Sequence, residues 1–153
     1  MSYTNSQAQT GLGSNISINT GTGTTPTWTQ IFEITSAKMS GRQAKTVDVT
    51  NLQSTAAEFI TTLVDSGTFD CSGNRVTGDP GQSAVEAAFS GLLSKQYKIT
   101  LPKTAAQVSS GDSYTFNAVV QEWAPISDVG TDKAVQFSLK LKISNTITFT
   151  AGS

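Results

Sequence analysis

The side chains in this sequence that could carry chemistry are few, and they do not converge. Cys71 is the single thiol, and none of the 153 residues is a histidine that could draw off its proton. Without an imidazole, thiolate formation depends on nearby cations or a helix N-terminus. No cationic cluster flanks position 71, so Cys71 reads as a half-buried structural thiol. One cysteine makes no internal disulfide and no Cys-rich zinc or iron–sulfur site. Asp65 with Asp70, and Asp128 with Asp132, resemble paired carboxylates, but neither pair follows the ligand spacing of a calcium loop. Both lie in turn-like sequence, where Asp bonds to its own backbone. Gly11-Leu12-Gly13 and Gly21-Thr22-Gly23 lack the strand-before, helix-after context of a phosphate loop. No catalytic residue, metal site or cofactor site is assigned.

The residues that remain suggest recognition. Trp28 and Trp123 are each either core fillers or anchors at a protein contact, with core the default. Lys38, Arg42 and Lys45 form the most basic stretch of the chain, a solvated loop or an interaction loop. Asp128 and Asp132 are acidic groups that such cations could pair with on a neighbouring molecule. Ile16 and Ile18 alternate with Ser17 and Asn19, so this segment could pair as a strand if another chain offered an edge.

Composition narrows the function classes. The length fits one domain that buries roughly two thirds of its unfolded surface. Charged residues are only 14%, against about 25% in an average soluble domain, so Ser, Thr, Asn, Gln and Gly must make the surface polar. Ten Lys+Arg against eleven Asp+Glu give a net charge of −1, which argues against stable binding to nucleic acid or to a membrane surface. There is no signal-like start and no run of 18 or more apolar residues, so the chain is expected to be soluble when made.

These residues must be positioned by a mainly β framework. Residues 1–27 carry no charge and read as a flexible N-terminal arm, with residues 28–150 as the folded domain. Strands are expected at Trp28 to Thr35 and Ala44 to Thr50, joined by a connection from Ser36 to Arg42. Thr55 and Glu58 have capping-box spacing ahead of Phe59, Ile60, Leu63 and Val64, which predicts a short helix ending at Gly67. A better helix is expected from Pro80 to Ser94. Asp79 caps it, Gln82 completes the box, and Val85, Ala88, Phe89 and Leu92 share its buried face. Thr68 to Val76 reads as a bulged strand or a hairpin. Three clean alternations follow: Tyr97-Ile99-Leu101, Tyr114-Phe116-Ala118-Val120 and Phe137-Leu139-Leu141-Ile143, with turns at Pro102 to Gly111 and Pro125 to Asp132. The fold class is an antiparallel β-sandwich or barrel-like domain with one flanking α-helix and a possible second short one.

The order and spacing of these segments resemble the tail-tube proteins of long-tailed bacteriophages, in particular the tube-forming N-terminal domain of the lambda major tail protein. The resemblance rests on Pro80-Gly81 opening a helix that ends Ala88-Phe89-Ser90-Gly91, then Tyr97-Lys98-Ile99 with Leu101-Pro102, the strand Phe116 to Val120, and Lys133-Ala134-Val135 leading into Leu141-Lys142-Ile143-Ser144-Asn145. Trp28, Val47-Asp48-Val49-Thr50 and Asp65-Ser66-Gly67 are also similar. It covers roughly four fifths of the chain, through packing motifs that are individually weak. The resemblance implies hexameric rings stacked into a tube, a central channel through which DNA passes without stable binding, and tape measure, tail terminator and tail-tip proteins as partners. It places the protein in the virion tail, and in the host cytoplasm during assembly. The sequence departs from the lambda protein in lacking the C-terminal immunoglobulin-like domain and in its longer uncharged arm.

Ile16, Ile18, Lys38, Arg42, Lys45, Phe59, Asp128 and Asp132 are the candidate inter-subunit contacts, with Ile16 and Ile18 expected to order only on assembly. A different reading is a carbohydrate- or receptor-binding β-sandwich on a virion or cell surface, with Trp28 or Trp123 stacking on a sugar. A secreted tube of the contractile-injection type is a further alternative.

Overall fold

The computed structural model describes residues 8–153, so the first seven residues of the expected arm lie outside the described residues. Nine strands and one helix follow in the order β1 (Asn15–Asn19), β2 (Trp28–Ile31), β3 (Ile34–Ser40), β4 (Gln43–Asp48), β5 (Phe59–Asp65), β6 (Thr68–Asn74), α1 (Pro80–Ser90), β7 (Ser94–Thr100), β8 (Ser113–Gly130) and β9 (Lys133–Thr150). Seven of the strands form one antiparallel sheet in the order β2-β1-β7-β8-β9-β6-β3, and β4 and β5 pair separately as a hairpin.

A two-residue link dictates the shape of the large sheet. Its two edge strands, β2 and β3, are joined only by Phe32 and Glu33. Flat, a seven-stranded sheet holds its edges about 29 Å apart, whereas three residue steps span at most about 11 Å. The sheet must therefore roll. Irregularities in the β8–β9 pairing, at Thr115/Asn117, Val120/Glu122 and Ala124/Asp128, bend the two longest strands as the roll requires. Both margins then contribute to one core: Ile16, Ile18 and Ile31 from one side meet Phe69 and Cys71 from the other, around Tyr97, Phe116, Phe137, Leu139 and Leu141. The three alternating segments send Tyr97, Phe116, Ala118, Phe137, Leu139, Leu141 and Ile143 into this core with Ile99 and Val120 packed against it, whereas Leu101 and Tyr114 are only part-buried outside it.

The helix packs against β1, β2 and β8 and adds Val85 and Ala88 to the core. The Asp79 side chain accepts a hydrogen bond from the Gln82 backbone N–H at 2.9 Å, and Pro80 occupies the first turn. The Gln82 side chain does not reach back to the cap as the capping-box spacing suggested. It is fully buried, where its Oε1 accepts from Arg75 Nη1 (2.9 Å) and the Val76 N–H (3.1 Å), and its Nε2 donates to the carbonyls of Asn74 and Phe32. The backbone at the β2–β3 link and at the exit of β6 needs these partners, and only a side chain with both donor and acceptor atoms satisfies them. Gly81 lies directly on β2, where a Cβ would come within 2.3 Å of the Gln30 carbonyl. The helix stops at Ser90 rather than Ser94, because Leu92 turns left-handed (φ 52°) and Ser94 already begins β7. Phe89 and Leu92 are therefore exposed, and the buried face reduces to Gly81, Gln82, Val85 and Ala88.

Several expectations are corrected. The proposed short helix over Thr55 to Gly67 is strand β5, because its Phe, Ile, Thr and Val residues favour a pleated partner and β4 supplies one. The Ser36 to Arg42 connection is mostly strand β3, and the expected strand Trp28 to Thr35 breaks at Glu33, whose φ is 60°. Thr68 to Val76 gives one regular strand, the irregularity lying in β3 between Ile34 and Ser36. Pro125 does not start a turn, since β8 continues to Gly130 and the turn is Thr131-Asp132.

The largest correction concerns the arm. Asn15–Asn19 is an interior strand paired on both sides, to β2 and to β7. Ile16 and Ile18 are buried in this chain's own core rather than held for a neighbour. The uncharged sequence suggested disorder, but β7 has a free side in register with it and the two isoleucines fill the roll. Ile18→Ala should therefore cost about 2–5 kcal/mol in urea denaturation of the monomer, and a chain lacking residues 1–23 should fail to show a cooperative unfolding transition.

Candidate assembly surface

The β4–β5 hairpin is the part of the molecule that does not satisfy itself. It grows out of the β3–β6 pair at Gly41 and Gly67, which face each other and both have positive φ (77° and 81°). A Cβ on Gly67 would meet the Ser40 carbonyl at 2.0 Å, so only glycine lets the two chains change direction there. At this base Asp65 accepts hydrogen bonds from the Gly67 N–H (2.8 Å) and from Lys142 Nζ (2.9 Å). The Ser66 hydroxyl also donates to the Asn145 carbonyl. These contacts fix where the hairpin leaves the sheet.

Beyond its base the hairpin is apolar on both faces. Val47 lies opposite Ile60 on one face, while Ala44 opposite Val64 and Asp48 opposite Phe59 stand on the other. Phe59, Ile60, Leu63 and Val64 are all more than half exposed, and Leu52 at the tip is fully exposed. The tip itself is well built: Ser54 Oγ donates to Glu58 at 2.8 Å, and the Glu58 N–H donates to Thr50 Oγ1 at 2.9 Å. Thus Glu58 caps a loop rather than a helix. A lone two-stranded hairpin is marginal in water, and contiguous exposed apolar surface marks a contact site. The large sheet adds two open margins, β2 and β3, each with one unpaired side.

The register places the projecting parts at opposite ends. The Ser40–Thr68–Lys142 row is the end from which the hairpin leaves, whereas Asn74 pairs with Gln136 at the other. Past Gln136, the tip of β8 and β9 continues to Gly130 and Lys133, carrying exposed Ile126 and Val129. Asp128 sits in this tip, bonded to Lys133 at 2.7 Å, and Asp132 sits in its turn. Arg42 and Lys45 lie at the base and on the first strand of the hairpin. Lys38 does not join them, being within β3 on a neighbouring face. The expected basic loop is therefore split, and its remaining cations and the acidic tip occupy opposite ends of one molecule.

Trp123 offers no free face, and Trp28, part-buried, has a lysine over one face of its ring. Trp123 is buried, donates its indole N–H to Glu86 and lies under Arg75, while Lys98 Nζ stands 4.6 Å from the Trp28 ring centre. Cys71 is buried, and burial, aided by the Asp70 charge, pushes its thiol up to about 12, leaving it protonated at neutral pH. No group of three or more potential metal ligands occurs among the described residues.

The chain matches no family model and no curated protein sequence. Solved structures do match along nearly its whole length. A chain from the virion of a native gene transfer agent particle superposes with a TM-score of 0.68 at 15% identity, covering 94% of this chain and 100% of that one. The SPP1 tail tube gives 0.64 at 14% identity, over 92% of this chain and 77% of that one. The sheath–tube complex of an extracellular contractile injection system, PVC, gives 0.64 at 11% identity, over 90% and 88%. The fold is thus the β-rich tail-tube fold. The structural neighbours span virion tails and injection systems alike.

The Lys142 bond and the Gly67 N–H hold the Asp65 carboxyl below its ordinary value of 3.8. A depressed carboxylate contributes stability that is present above the unfolded pKa and lost as pH falls through the folded one. Asp65→Asn should therefore loosen the hairpin base at pH 7. The difference from wild type should shrink below the ordinary carboxyl value and disappear only as pH falls through the depressed folded one, read from the exchange rates of the Gly67 and Ile143 amides.

Proposed function

We propose that this chain is a structural subunit of a tail tube, that of a long-tailed phage or a related particle, stacking as hexameric rings around a channel for DNA. The observation that carries this reading is the apolar hairpin, which the monomer leaves uncovered on a fold shared with tail-tube structures. In the proposed assembly, open margins of neighbouring subunits join within a ring. The hairpin of one subunit reaches the next ring, and Arg42 and Lys45 approach the acidic tip of a subunit there, near Asp128 and Asp132. Exposed ion pairs are each worth about 0–1 kcal/mol, but symmetry repeats them around the ring. Tape measure, terminator and tail-tip proteins are the partners proposed for such a tube, with the virion tail as its location and the host cytoplasm as the place of assembly. The role involves no bond making or breaking. The burial of Trp123 and the lysine over one face of Trp28 weigh against sugar stacking.

A contractile-injection tube would share this assembly and differ in what passes through the channel. Recovery from purified virions supports the phage reading, and recovery from culture supernatant free of virions supports the injection one.

Negative-stain microscopy of the concentrated protein, alone or with a tail initiator complex, should show tubes. The double variant Phe59→Ser, Leu63→Ser should abolish them while changing monomer stability by no more than about 1 kcal/mol, as expected for side chains exposed in the monomer. Normal tubes from this variant would remove the hairpin from the interface.

A further inference from the structure

The rolled sheet carries a polar feature that the proposed contacts do not use. On the face turned away from the core, four strands contribute one residue each to a single cross-strand row. Lys38 stands opposite Asp70, Asp70 opposite Lys140, and Lys140 opposite Glu122. Alternation fixes the direction: Phe69, Cys71, Leu139, Leu141 and Trp123 are buried, so Asp70, Lys140 and Glu122 point away from the core. All four line one open depression of about 480 Å³. The adjoining row is uncharged, Ser36 opposite Ser72 and Ser72 opposite Ser138.

Residues directly opposite on neighbouring strands hold their Cβ atoms about 4.5–5.5 Å apart. Lys38 therefore has one carboxylate on the adjacent strand, and Lys140 has one on each side. Further along β9, Lys142 is bonded to Asp65 at 2.9 Å. The chain's near-zero net charge is thus reproduced residue by residue on this face.

We propose that this row neutralises the face toward polyanions, with Asp70 and Glu122 as the residues that let double-stranded DNA pass over it without adhering. The inference rests on the reading of the chain as a tube subunit, with this face turned to the channel. Each phosphate neutralised by a lysine adds salt-dependent affinity, and stacked subunits would multiply that affinity along the tube. A carboxylate fixed on the next strand competes with phosphate for the same ammonium. The serine row offers only neutral hydroxyls.

The test uses the full chain with Asp70→Asn and Glu122→Gln, which preserve shape, and fluorescence anisotropy with a labelled DNA duplex. Wild type should bind negligibly at 150 mM salt. The double variant should gain at least about tenfold in affinity at low salt, with a log–log salt slope steeper by about 1–2, as expected for one or two freed lysines. Adding Lys38→Gln and Lys140→Gln should return binding to the wild-type level. Equal binding by wild type and the double variant, or a gain that survives removal of the two lysines, would overturn the proposal. Microscopy of the wild-type protein separates the two levels: absence of tubes rejects the functional reading, whereas unchanged DNA binding in the double variant rejects only the role of the carboxylates.

Discussion

Everything in this molecule depends on how little chain separates β2 from β3. With only Phe32 and Glu33 between its margins, the sheet cannot lie flat, and rolling it gives one closed-in apolar space instead of two exposed faces. Ile16 and Ile18 become core residues because the roll brings β1 and β7 around to face Phe69 and Cys71. The buried Gln82 amide secures the link by taking the Phe32 carbonyl and, through Asn74 and Val76, the end of β6. A side chain of similar size without both donor and acceptor would leave buried backbone groups unpaired, at about 1–3 kcal/mol each.

The roll does not use up the chain. The ribbon that begins as β3 and returns as β6 runs past the sheet at Gly41 and Gly67, and what projects is apolar on two faces. At the far end, the β8–β9 tip projects with Ile126, Val129 and its own ion pair. A molecule with unlike apolar projections at opposite ends of one strand direction is suited to head-to-tail contact, which propagates unless symmetry closes it. The polar outer face, by contrast, carries its charges in opposed neighbours. Exposed apolar surface and the row of opposed charges are therefore kept on different surfaces of one small domain.

Much of the fold was legible in the sequence, for reasons tied to periodicity. Tyr97 to Ile143 alternates so regularly that face and partner follow from residue type, and Asp79-Pro80 marks a helix start without help from tertiary structure. The failures were also physical. Phe59 to Val64 has helical spacing of apolar residues as well as β-branched content, and only the presence of β4 decides between them. The arm looked disordered because its charge and hydrophobicity are low, yet two isoleucines in register with β7 were sufficient to anchor it. Cations close in sequence, Lys38 with Arg42 and Lys45, are separated because Lys38 lies in a strand of the large sheet, where a connecting loop was expected, and the chain leaves that sheet at Gly41. The row of Lys38, Asp70, Lys140 and Glu122 draws on positions more than a hundred residues apart at its extremes, and only register brings them together.

The claim that the hairpin is completed by other copies of the chain is tested most directly by hydrogen exchange, comparing dilute monomer with assembled protein. The account predicts that amides of Phe59–Asp65 exchange rapidly in the monomer and become protected on assembly, while those of β1, β7 and β9 are protected in both. Equal protection of the hairpin in the two states would contradict it.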